Sequence, residues 1–103
     1  MNRYILEEDE AKQDVKEAAE FYLQEVDLAL AHRFLNALED MYSMLADFPG
    51  IGSLWEPEGL KYADIRKKSV PGFPKYKIFY QATENTLRIL HVYHSSRDIP
   101  KLF

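Results

Sequence analysis

The last third of the chain, residues 62–98, reads YADIRKKSVPGFPKYKIFYQATENTLRILHVYHSSRD. Three short runs rich in β-branched and aromatic residues, Ala63 to Val70, Tyr76 to Ala82 and Leu87 to His94, are separated by Pro71-Gly72-Phe73-Pro74 and by Thr83-Glu84-Asn85-Thr86. Runs of this length and spacing, punctuated by turn residues, predict two consecutive hairpins and hence a three-stranded antiparallel meander. A meander cannot cover its own apolar face, so whatever precedes it must supply a lid.

The preceding residues have the right periodicity for one. Ala11, Val15, Ala18, Ala19, Tyr22 and Val26 recur at spacings of three and four, predicting a helix that begins between Glu8 and Ala11. Its first turn is crowded by Glu7, Glu8, Asp9 and Glu10, which suits the positive end of a helix dipole. Asp27 is placed to cap a second helix running to about Asp47, with Leu30, Ala31, Phe34, Leu38, Met41, Leu45 and Phe48 along one stripe. Joined by so short a connection, the two helices must lie antiparallel as neighbours. Pro49-Gly50-Ile51-Gly52 stops the second helix, and Trp55, Pro57 and Gly59 mark a loop into the sheet. Arg3 to Leu6 reads as a short first strand. The expected fold class is α+β in the order β-α-α-β-β-β, a helical hairpin packed on an antiparallel sheet. At 103 residues the chain is expected to form one domain over residues 1–103.

Strand phase follows from alternation. Tyr76, Ile78 and Tyr80 share one face of the middle meander strand. In the last strand Leu87, Ile89, His91 and Tyr93 oppose Arg88, Leu90, Val92 and His94, so both faces are apolar and both are expected to be at least partly covered. Closing the first hairpin about Gly72 and Phe73 brings Arg66 near Tyr80.

Charge is distributed unevenly. Up to Leu60 there are 4 Lys/Arg against 14 Asp/Glu, and from Lys61 onward 9 against 3, within a net charge of -4. An acidic total makes a poor general nucleic-acid binder, yet the C-terminal part can still present a local basic surface. The plainer explanation is that these cations decorate exposed strand positions and pair with helix carboxylates. No cysteine is present, which removes disulfides, thiolate nucleophiles and cysteine-based metal sites. No stretch reaches the roughly 20 apolar residues of a membrane span, and MNRYILEEDE lacks the form of a signal peptide, so a cytoplasmic protein is expected.

Candidate chemistry is sparse. His94 and Arg97, where the last strand leaves the sheet, have the residue types of a general acid/base beside an anion clamp, although a histidine capping local backbone explains the same residues. His91 reads as a packed, hydrogen-bonded side chain and His32 as a surface one. No His and carboxylate pair has metal-ligand spacing, the serines lack a nucleophile-elbow context, and Gly50-x-Gly52 follows a helix where a phosphate loop should open one. Neither a cofactor nor a metal is expected.

In this order and spacing, several stretches resemble the RelE/ParE superfamily of toxins from type II toxin–antitoxin modules, and the ParE branch most. They are AKQDVKEAAEFY at Ala11 to Tyr22, LADFPGIG at Leu45 to Gly52, Ile65-Arg66, YKIFY at Tyr76 to Tyr80, and ILHVYH at Ile89 to His94 leading to Arg97-Asp98. The resemblance implies a toxin neutralised by a cognate antitoxin, whose C-terminal segment typically packs across the helical hairpin and sheet. ParE-like toxins act on DNA gyrase by binding, without being enzymes, whereas RelE-like toxins cut messenger RNA on the ribosome. For the first, the expected target-binding residues are Arg66, Lys67, Lys68, Arg97 and Lys101. For the second, Arg66 and Arg97 would clamp phosphate and His94 would act as acid/base. The acidic total and the scarcity of cations near the chain end weigh against the nuclease. A third possibility is a relative that has lost toxicity and keeps only antitoxin binding.

Overall fold

The computed structural model describes residues 3–55 and 64–96. Strand β1 (Tyr4–Glu7) leads into helix α1 (Asp9–Glu25) and helix α2 (Leu28–Asp47), followed by a single 3-10 turn at Pro49–Ile51. Strands β2 (Ser53–Leu54), β3 (Arg66–Val70), β4 (Phe73–Ala82) and β5 (Thr86–His94) complete the secondary structure of the described residues. The five strands form one sheet in the order β1-β5-β4-β3-β2.

Helix α2 begins where its sequence says it should. The Asp27 carboxylate accepts from the Leu30 N–H at 2.8 Å, satisfying one of the free amides of the first turn. Ala31, Phe34, Leu38, Met41 and Leu45 are all buried, as the stripe predicts. Tyr42 and Ala46 are buried as well, widening the stripe into a face, whereas Phe48 lies past the helix end and is exposed. On α1 the buried positions are Ala11 and Ala18, with Val15 and Tyr22 packed against the core. Val26, expected on that stripe, is exposed because the helix has already ended at Glu25.

The β3–β4 hairpin turns at Pro71-Gly72, with Gly72 at φ +82°, a left-handed conformation that a non-glycine residue adopts only at a cost. Phe73 and Pro74 belong to β4 and not to the turn. Arg66 pairs with Tyr80 as expected, although the turn lies at Pro71-Gly72 and not about Gly72 and Phe73; a register shift between Ser69 and Val70 makes up the difference. Three features go beyond the expected meander. β1 pairs with β5 in parallel, making the sheet mixed. The loop expected after the 3-10 turn contains a two-residue strand, β2, antiparallel to β3, and the Trp55 N–H donates to the Ile65 carbonyl just beyond it. The third feature is a bulge in β5: Phe79 pairs with His91 and Tyr80 with Ile89, leaving Leu90 as the extra residue.

That extra residue corrects the simple alternation. Leu87, Ile89 and Val92 enter the main core with Ile78 and Tyr80, beneath the helices. Leu90 and Tyr93 pack instead against Trp55, Ile65 and Phe79 in a second cluster on the opposite face. Both faces of β5 are therefore apolar, as expected, with a different division of residues. The main core is anchored at one end by an aromatic group: Phe34 lies 5.2 Å from Phe73 and 5.1 Å from Tyr76 between ring centroids, and Tyr22 lies 5.3 Å from Phe73. Edge-to-face packing of this kind adds to the burial of the rings themselves.

Candidate functional site

The basic strand β3 is positioned by a polar node at its N-terminal end. The Tyr80 hydroxyl, brought there by β4, donates to the Pro49 carbonyl at 2.5 Å and accepts from the Gly52 N–H at 3.0 Å. Arg66 donates through Nη1 to the Gly52 carbonyl at 2.7 Å. Burial raises the Tyr80 phenol above its ordinary pKa, opposed by the Gly52 hydrogen bond and the Arg66 charge, so it stays a neutral donor. Gly52 is required here by close approach. A Cβ at this position would stand 2.3 Å from the Tyr80 hydroxyl and 2.8 Å from the Lys67 carbonyl oxygen. Gly52 is thus the packed joint between α2 and the sheet, whereas Gly50 is exposed.

Arg66, an expected target-contact residue, is committed to this joint. Its neighbours differ. Lys67 and Lys68 alternate to opposite faces of β3, pairing with Phe79 and Ile78, and make no hydrogen bond or ion pair among the described residues. Lys77 spans β4 to β3, donating from Nζ to Ser69 Oγ at 2.7 Å and to the Pro74 carbonyl at 2.8 Å.

His94 lies at the other end of the sheet. Its Nδ1 accepts from the Ser96 N–H at 3.2 Å and lies 2.7 Å from Ser96 Oγ, which is the local backbone-capping role. The ring also packs edge-on against Tyr76, 5.1 Å between centroids. It borders a groove of about 270 Å³ between α1 and the ends of β4 and β5, lined in part by Phe21, Tyr22 and Tyr93. The charged groups in that lining are the carboxylates of Asp14 and Glu17, which disfavour a phosphodiester.

Asp14 has a structural task. β1 ends at Glu7, so β5 has lost its parallel neighbour beyond Ile89. There the Glu8 N–H donates to the Ile89 carbonyl, and Asp14 Oδ2 accepts from the Val92 N–H at 3.0 Å and from His91 Nδ1 at 3.0 Å. Burial raises the Asp14 carboxyl above its ordinary pKa, with these two hydrogen bonds holding it back. His91 is the packed, hydrogen-bonded residue its neighbours in sequence predict, and His32 is exposed.

Arg66 and His94 do not converge. They pair with Tyr80 and Tyr76 from opposite sides of β4, so four residues of strand and two strand spacings separate them by about 16 Å. Arg97 and Lys101 fall outside the described residues. Sequence reasoning missed Tyr80, Gly52 and Asp14 as the groups that fix this geometry. For Asp14 a signal was present: three residues beyond Ala11 and four before Ala18, it is a carboxylate on the inward face of α1.

The model of the ParE toxin family, described as the toxin of a type II toxin–antitoxin system, parDE, matches residues 6–99. Comparison with functionally curated proteins returns no match. Among solved structures, a chain of the chromosomal ParDE toxin–antitoxin system from P. aeruginosa shares the fold with a TM-score of 0.72. The sequences are 11% identical, over 89% of this chain and 95% of that one. The order of elements, the hairpin-on-sheet packing and a family match over nearly the whole length agree: this chain belongs to the ParE toxin family of type II toxin–antitoxin systems.

Proposed function

We propose that this toxin inhibits DNA gyrase by binding, without chemistry of its own, and that a cognate antitoxin neutralises it in the cytoplasm. The observation that carries this reading is the environment of His94. The one histidine placed for acid/base work stands in a groove with Asp14 and Glu17, about 16 Å by strand geometry from Arg66. A cleaving site needs its acid/base and phosphate clamp within hydrogen-bond reach of one substrate. A binding inhibitor needs only a complementary surface, and Lys67 and Lys68 supply half-buried cations, one on each face of β3, whose side chains make no ion pair among the described residues. In this reading Lys67 and Lys68 touch the target, together with Arg97 and Lys101 of the C-terminal tail, while Arg66 holds the strand that presents them.

The test is a gyrase supercoiling assay run beside cleavage of mRNA on programmed ribosomes, using the wild type, His94→Ala and the double variant Lys67→Glu/Lys68→Glu. The expected result is inhibition of gyrase by the wild type and by His94→Ala, intact mRNA throughout, and inhibition reduced at least tenfold in the double variant. mRNA cleavage by the wild type that disappears in His94→Ala overturns the proposal in favour of a ribosome-dependent nuclease.

A further inference from the structure

Strand β1, at the edge of the sheet, presents a run of apolar side chains to solvent. Every central residue of β1 is large, apolar and exposed: Tyr4 at 72%, Ile5 at 38% and Leu6 at 41%. Among the described residues only one side of the strand is paired, with β5. The Tyr4 N–H donates to the Asn85 carbonyl and the Glu8 N–H to the Ile89 carbonyl. In a parallel pair each residue directs both backbone groups to the same side, so the even-numbered residues serve β5. Arg3, Ile5 and Glu7 direct their N–H and C=O outward. Soluble proteins normally shield such an edge with charge, proline or a covering element, because it templates the addition of another strand.

The sequence of this strand selects the strand that fits it. Arg3-Tyr4-Ile5-Leu6-Glu7 is complementary to itself when two copies run antiparallel with Ile5 on the two-fold axis. Arg3 then faces Glu7 of the second copy, and Tyr4 faces Leu6. Ile5 meets Ile5 as a hydrogen-bonded pair, in phase with the outward backbone groups of Arg3 and Glu7. The side chains that give the charged pairs retain capacity. Arg3 uses Nε toward the Thr83 carbonyl and Nη1 toward the Ala46 carbonyl, leaving Nη2. Glu7 accepts from the Tyr42 hydroxyl through Oε2, leaving Oε1. These same bonds fix β1 against the fold, so the edge is presented as a preformed strand. Centring the pair on Arg3 or Glu7 would oppose like charges, and centring it on Tyr4 or Leu6 would set Ile5 against Arg3 or Glu7, which leaves the Ile5 axis as the register in which each charge meets its opposite.

We infer that the free toxin dimerises through β1, two copies adding edge to edge about a two-fold axis normal to the sheet, centred on Ile5. The axis keeps both helical hairpins on one side and joins the two sheets into one. β3, with Lys67 and Lys68, lies three strands away from β1, next to the distal strand β2 of each sheet, so dimerisation leaves the proposed target surface uncovered.

The chain contains no cysteine, which makes a register test direct. Single variants Ile5→Cys and Tyr4→Cys are oxidised at matched concentration, while the wild type and Tyr4→Lys/Leu6→Lys are measured by size-exclusion chromatography with light scattering. In the proposed register the two Ile5 Cα atoms lie about 5.5 Å apart, within disulfide reach, and the two Tyr4 Cα atoms about 8 Å apart, beyond it. The expected result is a concentration-dependent wild-type dimer, a monomeric but folded double-lysine variant, and cross-linking of Ile5→Cys at least tenfold faster than of Tyr4→Cys. A wild type that stays monomeric to millimolar concentration, or equal cross-linking of the two cysteines, overturns the inference. So does a dimer that survives the double-lysine change.

Discussion

Removing one oxygen atom, by Tyr80→Phe, tests whether the joint between α2 and the sheet is held as described. The ring stays in place, so apolar burial hardly changes. Two hydrogen bonds disappear, to the Pro49 carbonyl at 2.5 Å and from the Gly52 N–H at 3.0 Å. The Gly52 amide is the costly part: Gly52 is buried, and the substitution removes the one oxygen its N–H bonds. An unsatisfied buried amide costs about 1–3 kcal/mol, and a satisfied bond contributes a net of about 1 kcal/mol, which places the loss at about 2–3 kcal/mol. For a domain of this size that corresponds to a fall in Tm of roughly 10–20 °C. Gly52→Ala should lose stability by a related route, since its Cβ would meet the Tyr80 hydroxyl and the Lys67 carbonyl oxygen at 2.3 and 2.8 Å. Combining the two changes removes the first clash but not the second, so the double variant should be more stable than the sum of the single losses predicts. Thermal and urea unfolding followed by circular dichroism measure all three. A Tyr80→Phe loss below about 0.5 kcal/mol, the range of an indifferent surface substitution, refutes the idea that this hydroxyl holds the joint.

Phe34→Ala should cost about 3–5 kcal/mol in urea unfolding, because the ring is fully buried between Tyr22, Phe73 and Tyr76 and its neighbours belong to two layers that cannot collapse together. Asp27→Ala should cost about 1 kcal/mol by removing the cap on the Leu30 amide, with Asp27→Asn restoring most of it. Asp14 gives a prediction of sign. Its carboxyl is raised above 3.8 in the fold, chiefly by burial, so the folded state holds this proton more tightly than the unfolded chain. Its contribution is therefore greatest below 3.8 and declines as pH rises toward the raised value. The stability of the wild type relative to Asp14→Asn should decrease as pH rises from below 3.8 through the raised value, and an increase would show that the bonds from Val92 and His91 outweigh burial.

What the residues disclosed in advance follows from which constraints are local. The start of α2 is fixed by Asp27 and its face by a stripe of seven positions, and six of those are wholly or partly buried. The turn at Pro71-Gly72 is legible, but with Val70 opposite Phe73 it would carry Arg66 to Lys77; the register shift between Ser69 and Val70 that brings Arg66 to Tyr80 leaves no local mark. The bulge at Leu90 is not legible either, since Leu87, Ile89, Leu90 and Val92 satisfy either phase and one inserted residue exchanges the faces beyond it. The parallel docking of β1 depends on contacts more than 80 residues apart and leaves no local mark. At the site, alternation along β3 identifies Lys67 and Lys68 as cations on opposite faces. The commitment of Arg66 to the Gly52 carbonyl depends on a turn whose geometry emerges only when β2 pairs with β3.

The uneven charge of the chain now acquires a physical meaning. Between Asp9 and Asp47 there are ten carboxylates against three cations, and between Arg66 and His94 six cations against one carboxylate. Had the helices and sheet neutralised one another, the basic strands would be tied to helix carboxylates by ion pairs. Arg88 is so tied, to Glu8 at 3.4 Å, but Lys67, Lys68 and Lys75 form no ion pair among the described residues, and Lys77 spends its donors on a serine and a carbonyl. The separation is therefore maintained as an external field, negative over the hairpin and positive beyond it. Partially exposed lysines gain little from holding a carboxylate in water, so leaving them unpaired costs the fold almost nothing. The same lysines would gain considerably more against an anionic partner that excludes that water, which is the condition the proposed target contact at β3 requires.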